Sequence, residues 1–231
     1  MKINLLNKNR PIFDKSDNPL QLLEKWFNEA IDQKIQRHPN AMSLSTVGNN
    51  NTVSSRMVLV KNLSSKLDYI TFYTNYLSRK SQQLNINNSV AGIFHWDQLG
   101  RQIRIEGNAI RSPDTESNNY FSQRSWLSQL NAWSSMQSQP LKSPDGLKEE
   151  IIKKAEAFGI SRDQLLSKKL DNKIDIPRPS YWGGFRFWMS MIEFWHEGKD
   201  RYHERLCFKR KIEAKNNTFV CSKWESEYLQ P

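Results

Sequence analysis

Three groups of residues along this chain have the types and spacing to hold an anion or an electron-rich ring. Near the C-terminus Arg201, His203 and Arg205 alternate, so an extended segment would project all three to one side. Cationic groups so placed repel one another unless an anion or electron-rich ligand sits among them. Trp195, a few residues upstream, offers an aromatic wall, or simply core. In the middle of the chain Tyr120, Arg124 and Ser128 recur every four residues. On a helix that spacing puts a phenol, a guanidinium and a hydroxyl on one face. The set suits a phosphate dianion, and an ordinary polar helix surface would carry it too. Third, Ser78 precedes Arg79-Lys80 at the start of a predicted helix, where free N–H groups and the helix dipole favour an anion. A capped helix with two solvated cations is the plainer alternative. Upstream, Arg56 and Lys61 bracket Met57-Val58-Leu59-Val60. Five apart, they face opposite sides of a regular strand, so sharing one site would take a bulge, a twist or backbone contacts.

Composition narrows what these groups could serve. The 231 residues carry 34 Lys+Arg against 24 Asp+Glu, a formal net charge of +10. Such an excess suits a nucleic acid, small phosphorylated ligands or mere solubility. The cations mostly stand singly among apolar and hydroxyl residues. The true runs, Lys153-Lys154, Lys168-Lys169 and Lys209-Arg210-Lys211, read as solvated faces, so the distribution disfavours nucleic acid. At 37% hydrophobic and 11% aromatic the chain is too apolar for a disordered polycation. No apolar run approaches the roughly 20 residues that cross a bilayer, and residues 1–10 lack the apolar core of a secretory signal. Cys207 and Cys221 belong to no CxxC or Cys/His cluster, which argues against a disulfide framework or a metal site. A basic, soluble, cytoplasmic protein with no membrane segment is the expectation.

The elements that must position these groups follow from periodicity. Asp17-Asn18-Pro19 opens a helix over 19–36, with Leu20, Leu23, Phe27 and Ile31 at helical spacing. Strands follow over 41–47, 52–61, 68–75, 89–96 and 102–111, rich in β-branched and aromatic residues and separated by polar turns, with a short helix over 78–87. Five antiparallel strands broken by one helix predict a small Greek-key barrel. Helices are predicted over 115–124 and 126–136, and two more open near Asp145 and Ser161. After a Pro-rich connector, Phe185, Phe187, Met189 and Met191 alternate; strands continue over 192–195, 206–211 and 218–224. The predicted class is α+β, with a flexible segment over 1–18 and one domain over 19–231.

The run Ile192-Glu193-Phe194-Trp195-His196, followed after four residues by Arg201-Tyr202-His203-Glu204-Arg205, resembles the signature of the pyridoxine (pyridoxamine) 5′-phosphate oxidases. Further matches lie in order: Arg56 to Lys61, Phe72-Tyr73-Thr74-Asn75, Ser78-Arg79-Lys80, Arg101-Gln102, Ala132-Trp133-Ser134 with Gln137-Ser138, and Pro179-Ser180-Tyr181-Trp182-Gly183-Gly184-Phe185-Arg186. The resemblance spans roughly residues 19–211. It implies an FMN-binding split β-barrel that forms a homodimer, with FMN at the subunit interface and dimerisation strands over about 178–231. On one part of the chain it implies FMN contacts from Arg56, Met57, Val58, Leu59, Val60, Lys61, Tyr73, Thr74, Arg79 and Lys80. On another it implies FMN contacts from Gln102, Gln137, Ser138, Trp195 and Arg205. Lys61, Tyr120, Arg124 and Ser128 would hold the substrate phosphate, and Arg201, Tyr202 and His203 would meet its pyridine ring. Arg201 and His203 would be the catalytic pair. The implied reaction oxidises a phosphorylated vitamin B6 alcohol or amine to pyridoxal 5′-phosphate, with O₂ as acceptor.

Four places depart from that pattern. Residues 1–17 contain Arg10 but no Tyr to complete a lid, and His38 stands where an acidic residue is common. Tyr202 replaces an aliphatic residue, and the chain ends Tyr228-Leu229-Gln230-Pro231 in place of Arg-Leu-x-Pro. The missing lid tyrosine motivates an alternative, a split-barrel protein that binds flavin or pyridoxal phosphate without turnover.

Overall fold

The computed structural model of the chain describes residues 12–231 apart from 142, 144, 171–173 and 217. Its first helix begins where the sequence says it should. The Asn18 side chain accepts the N–H groups of Leu20 and Gln21, Pro19 fills the first turn, and α1 runs Pro19–Asp32. Its buried face, Leu23, Trp26, Phe27 and Ala30, packs into the main core. Phe13 is 2% exposed and sits against Trp26 and Phe194. The segment expected to be flexible through residue 18 is therefore anchored at Phe13, because burying an aromatic ring outweighs the entropy of a short lead-in. The lid expectation at Arg10 lies outside the described residues.

Strands β1 (Ala41–Val47), β2 (Val53–Asn62), β3 (Tyr69–Asn75), β4 (Ser89–Trp96) and β5 (Arg101–Arg111) follow, with α2 (Arg79–Ile86) between β3 and β4. Alternation is clean in β1, where Met42, Leu44 and Thr46 point inward. The closing strand, β6, spans Trp182–His196 and pairs with both β3 and β5. The order β6-β3-β2-β1-β4-β5 returns to β6, a closed six-stranded antiparallel barrel. Helices α3 (Asp114–Ser122), α4 (Trp126–Ser134), α5 (Gly146–Ala157) and α6 (Arg162–Ser167) lie between β5 and β6 in the chain. Leu130, Ala155, Ile160 and Ile176 give them a small core of their own. No helix among the described residues is long and apolar enough to cross a membrane.

One irregularity in β6 shapes everything C-terminal to it. The β5–β6 register passes from Gly107↔Met189 to Glu106↔Met191, leaving Ser190 as the extra residue of a bulge. A bulge shifts side-chain parity, so the core takes Phe185, Phe187 and Met189 before it and Ile192 and Phe194 after it. Met191, expected to alternate with the first three, drops out of that core. At the bulge β6 also changes its other neighbour: β3 pairs with Trp182 to Trp188, and β7 (Glu204–Lys209) with Met191 to His196. Arg210 fills this fork, donating from Nε to the Met189 carbonyl at 2.8 Å and from Nη2 to the Asp68 carbonyl at 3.1 Å. It also pairs with the Asp68 carboxylate and lies 4.1 Å over the Trp224 ring. The run Lys209-Arg210-Lys211, read as a solvated face, therefore contains a side chain only 2% exposed.

Gly107 is required here. A Cβ on it would stand 1.9 Å from the Trp188 carbonyl oxygen. Gly107→Ala should lower stability by about 2–3 kcal/mol through overpacking, read as a lower midpoint in urea unfolding; an unchanged midpoint would contradict this close approach.

The C-terminal strands differ from expectation. The chain forms a separate hairpin of β8 (Ile212–Lys215) and β9 (Thr218–Cys221), then β10 (Glu225–Tyr228) alongside β7. The strand predicted over 218–224 breaks after Cys221. Short, polar β8 and β10 carry too few apolar residues to register as strands.

Candidate active site

A cleft of ≈ 580 Å³ opens beside β2 and β3 and contains three cations, Lys61, Lys80 and Arg124, with no carboxylate among its lining residues. Lys61 stands at a second bulge, between the pairs Val60↔Phe72 and Asn62↔Thr71, and lines the cleft together with Met57 and Leu59. Arg56 does not reach it. It keeps the opposite parity and donates to the Leu44 carbonyl at 3.2 Å and to Thr46 Oγ1 at 2.6 Å. The bulge thus leaves Arg56 and Lys61 on opposite sides.

Lys80 is 8% exposed and its ammonium meets only neutral acceptors. Nζ donates to Thr74 Oγ1 at 2.9 Å, Ser78 Oγ at 3.0 Å and Gln137 Oε1 at 2.8 Å. Burial, helped by the positive charge of Arg56, pushes its pKa down to about 8. Ser78 precedes α2 but makes no side-chain cap, so its hydroxyl serves the lysine. Arg79 is exposed beside it, close enough that its charge, after burial itself, helps lower the pKa of Arg56.

Tyr120, Arg124 and Ser128 all line the cleft, but one helical face does not carry them. Helix α3 stops at Ser122 and α4 starts at Trp126, with Ser125 capping α4 and receiving the Ser128 N–H. Arg124 lies in the break. Its guanidinium sits 4.5 Å over the Trp182 ring, and its Nη1 is buried with no hydrogen-bond partner. An orphaned charged donor inside a cleft is costly unless an anion meets it. Tyr73 stacks on Tyr120 at 3.9 Å and on Trp182 at 5.5 Å. Burial, and secondarily Glu116, raises the Tyr73 pKa far above its ordinary value, so this phenol stays protonated. Glu116 is itself tied to Arg186 at 2.8 Å. Trp182 and Glu116 were not singled out from sequence; the stacked aromatic in the Tyr181-Trp182-Gly183-Gly184 run was the available signal for the first.

A second group lies at the other end of β6. Register sets Gln102 of β5 opposite Trp195 of β6, and Trp195 opposite Arg205 of β7, one row across three strands. The His203 ring is 4.7 Å from that of Trp195. Its Nδ1 accepts the Gly198 N–H at 3.2 Å, which leaves Nε2 as the protonated nitrogen of the neutral ring. The expected extended run from Arg201 to Arg205 is corrected. Arg201 ends a short 3₁₀ turn, Lys199–Arg201, with φ of 67° after Asp200 at 55°. His203 and Arg205 meet Trp195 of β6, and the turn before them packs closely on Gly198: a Cβ there would stand 1.6 Å from the Tyr202 carbonyl. Tyr202 is 66% exposed. None of this group lines the cleft. Gln137 bridges to Lys80, whereas Ser138 is exposed, in left-handed backbone with φ of 71°.

A closed six-stranded antiparallel barrel with flanking helices, a carboxylate-free cationic cleft, and an aromatic and arginine row on the same long strand define a protein of the split-barrel class. A family model described as pyridoxamine 5′-phosphate oxidase matches residues 27–157, and one described as pyridoxine 5′-phosphate oxidase C-terminal dimerisation region matches 182–231. The pyridoxine/pyridoxamine 5′-phosphate oxidase of Colwellia psychrerythraea is 40% identical over 204 residues, covering 88% of this chain and 87% of that protein. That of Pelagibacter ubique is 37% identical over 91% of this chain and 94% of that protein. Among solved structures, PhzG from Burkholderia lata 383, in complex with tetrahydrophenazine-1-carboxylic acid, superposes with a TM-score of 0.78 at 26% identity, covering 96% of both chains. The chain belongs to the pyridoxine/pyridoxamine 5′-phosphate oxidase family of oxidoreductases.

Proposed function

We propose that this protein is an FMN-dependent oxidase converting pyridoxine 5′-phosphate or pyridoxamine 5′-phosphate to pyridoxal 5′-phosphate. O₂ is the electron acceptor, H₂O₂ the second product, and the amine substrate also yields ammonia. The observation that carries this reading is the cleft, where the buried Nη1 of Arg124 has no acceptor and Lys80 has only neutral ones. That donor set fits two phosphates. Lys61, Tyr120, Arg124 and Ser128 would take the substrate's, while Lys80 and Thr74 would take that of FMN, with Arg79, which stands outside the cleft lining, adding its charge from beside them.

When bound, FMN supplies the two-electron chemistry, taking a hydride from the substrate's C4′ carbon and returning the electrons to O₂. The protein's part is position and charge. The β2 segment from Met57 to Lys61, together with Tyr73, Gln137 and Ser138, would flank the cofactor, with Arg56 behind the strand tied to Leu44 and Thr46. The Arg201 guanidinium would hold the pyridine ring in place and stabilise developing charge, with the Tyr202 backbone beside it. His203 would donate from Nε2 to a ring substituent, since its Nδ1 is already engaged by Gly198.

The distance between the two groups supports a homodimer with shared sites. Gly184, opposite Tyr73, and Trp195, opposite Gln102 and Arg205, lie eleven residues apart on β6. That is roughly 35 Å of strand at about 3.3 Å per residue, more than one mononucleotide bridges. A second copy would supply Gln102, Trp195 and Arg205 to the first copy's cleft, in keeping with the match to a dimerisation region over 182–231. The two free cysteines fit our reading of a cytoplasmic protein.

Incubating flavin-loaded protein with each phosphate ester under air should produce pyridoxal phosphate and peroxide. Retained flavin with neither product would favour binding without turnover. Lys80 adds a pH signature. Only its charged form serves a phosphate, so FMN affinity should fall as pH rises through about 8. Its folded pKa lies below the value of 10.5 for the free side chain, so the flavin-free protein binds fewer protons than the unfolded chain between those two values. Its stability should therefore rise with pH across that window. Lys80→Arg should flatten both trends, measured by flavin fluorescence titration and thermal unfolding; trends unchanged in that variant would acquit Lys80.

A further inference from the structure

The row behind Gln102, Trp195 and Arg205 on the same sheet face is Arg104, Glu193 and Cys207, again one residue from each of β5, β6 and β7. Its centre is unusual. The Glu193 side chain is 3% exposed, yet it is a carboxylate held between two guanidinium groups. Oε2 accepts from Arg104 Nη1 at 2.6 Å. Oε1 accepts from Arg205 Nε at 2.9 Å and lies 2.8 Å from Arg205 Nη2. A buried ion pair contributes little net stability, because desolvation offsets the attraction. What such a pair does well is fix a side chain's orientation.

Arg205 is fixed from a second direction as well. Its Nη1 donates to the Gln230 carbonyl at 2.8 Å, and the Leu229 N–H donates back to the Arg205 carbonyl at 3.0 Å. These contacts come from main-chain atoms, so the altered residue types at the chain end leave them intact. An arginine has five N–H groups. Nε and one N–H of Nη2 face Glu193, one of Nη1 faces Gln230, and one N–H on each terminal nitrogen is left for a ligand.

We propose that Glu193 is a positioning residue, and that it and the C-terminal tail together form a clamp presenting the two remaining Arg205 N–H groups to the cofactor. The proposal rests on the reading that Arg205 contacts FMN. Glu193 touches neither cofactor nor substrate in this scheme; it acts through Arg205. Arg104 holds the other carboxylate oxygen and keeps Glu193 from swinging toward the ligand.

The test is a coupling cycle on the full-length, flavin-free chain, with FMN as the probe and fluorescence quenching as the readout. Glu193→Gln, and separately truncation after Tyr228, should each weaken FMN binding on the order of tenfold, the lower end of what supporting-shell substitutions cost. In the Arg205→Ala background both changes should cause no further loss, since nothing remains to be positioned. Equal losses in both backgrounds, or no loss when Arg205 is present, would overturn the clamp, whatever happens to the thermal midpoint. If Arg205→Ala by itself leaves FMN affinity unchanged, the cofactor assignment of Arg205 fails instead. Should Glu193→Gln not fold, the truncation decides, because it removes only Leu229 to Pro231, a half-buried leucine and two exposed residues.

Discussion

Replacing Arg124 with alanine is expected to raise the KM for pyridoxine 5′-phosphate by about 10²–10⁴-fold, with a much smaller change in kcat. The magnitude follows from losing two hydrogen bonds between charged groups at about 1.5–3 kcal/mol each, where 1.4 kcal/mol is a tenfold effect. The split between KM and kcat follows from distance: the phosphate is bound alike in the ground and transition states, so its loss is uniform binding energy. In the flavin-free protein the Arg124 Nη1 has no acceptor, and burial depresses its pKa. The variant should therefore tolerate the loss structurally, apart from uncovering one face of Trp182. Arg124→Lys should fall between, because an ammonium keeps the charge and loses the fork. Steady-state kinetics on the phosphate ester and on unphosphorylated pyridoxine decide the matter. A variant that keeps its preference for the ester would remove Arg124 from the phosphate site.

Gly198→Ala should lower kcat about 10²-fold, the cost of misplacing catalytic groups by about an ångström, while FMN affinity stays near that of the parent. No β-carbon fits at Gly198 without moving the Tyr202 carbonyl, and that carbonyl belongs to the turn that carries Arg201 and His203. Displacing the Gly198 N–H also frees His203 Nδ1 and with it the tautomer. Gln102, Trp195 and Arg205 are held by ladder pairing of β5, β6 and β7 and should not follow the turn. Single-turnover flavin reduction, beside an FMN titration, separates the two effects. Equal losses in both would mean the turn and the row move as one, and an unchanged reduction rate would mean the turn positions nothing.

Composition exposed most of the barrel: β1 and β4 appear with the bounds that their β-branched and aromatic residues and the polar turns around them predicted. What stayed hidden were events of single residues. The extra residue at Ser190 reverses parity halfway along β6, and no residue type announces it. Two helices predicted over 115–124 and 126–136 already part Ser128 from Tyr120 and Arg124; what no residue type announces is that α3 stops at Ser122, which leaves Arg124 in the break. At the site, residue types named the cations, and the resemblance added Thr74 and Gln137. Partners distant in sequence, such as Glu193 for Arg205 or Asp68 for Arg210, exist only once the strands are paired.

Strand β6 joins the cationic cleft at one end to the aromatic row at the other, and in the proposed dimer each chain gives its cleft to one site and its row to the other. Two crippled enzymes should therefore rescue each other. In a dimer of one Arg124→Ala chain and one Gly198→Ala chain, both lesions fall on the same site and the opposite site is intact. Random reassociation of equal amounts makes about half the dimers mixed, so a two-fold dimer should recover about a quarter of parental activity. Neither variant reaches that level alone, and recovery would require no contact that a single chain makes with itself.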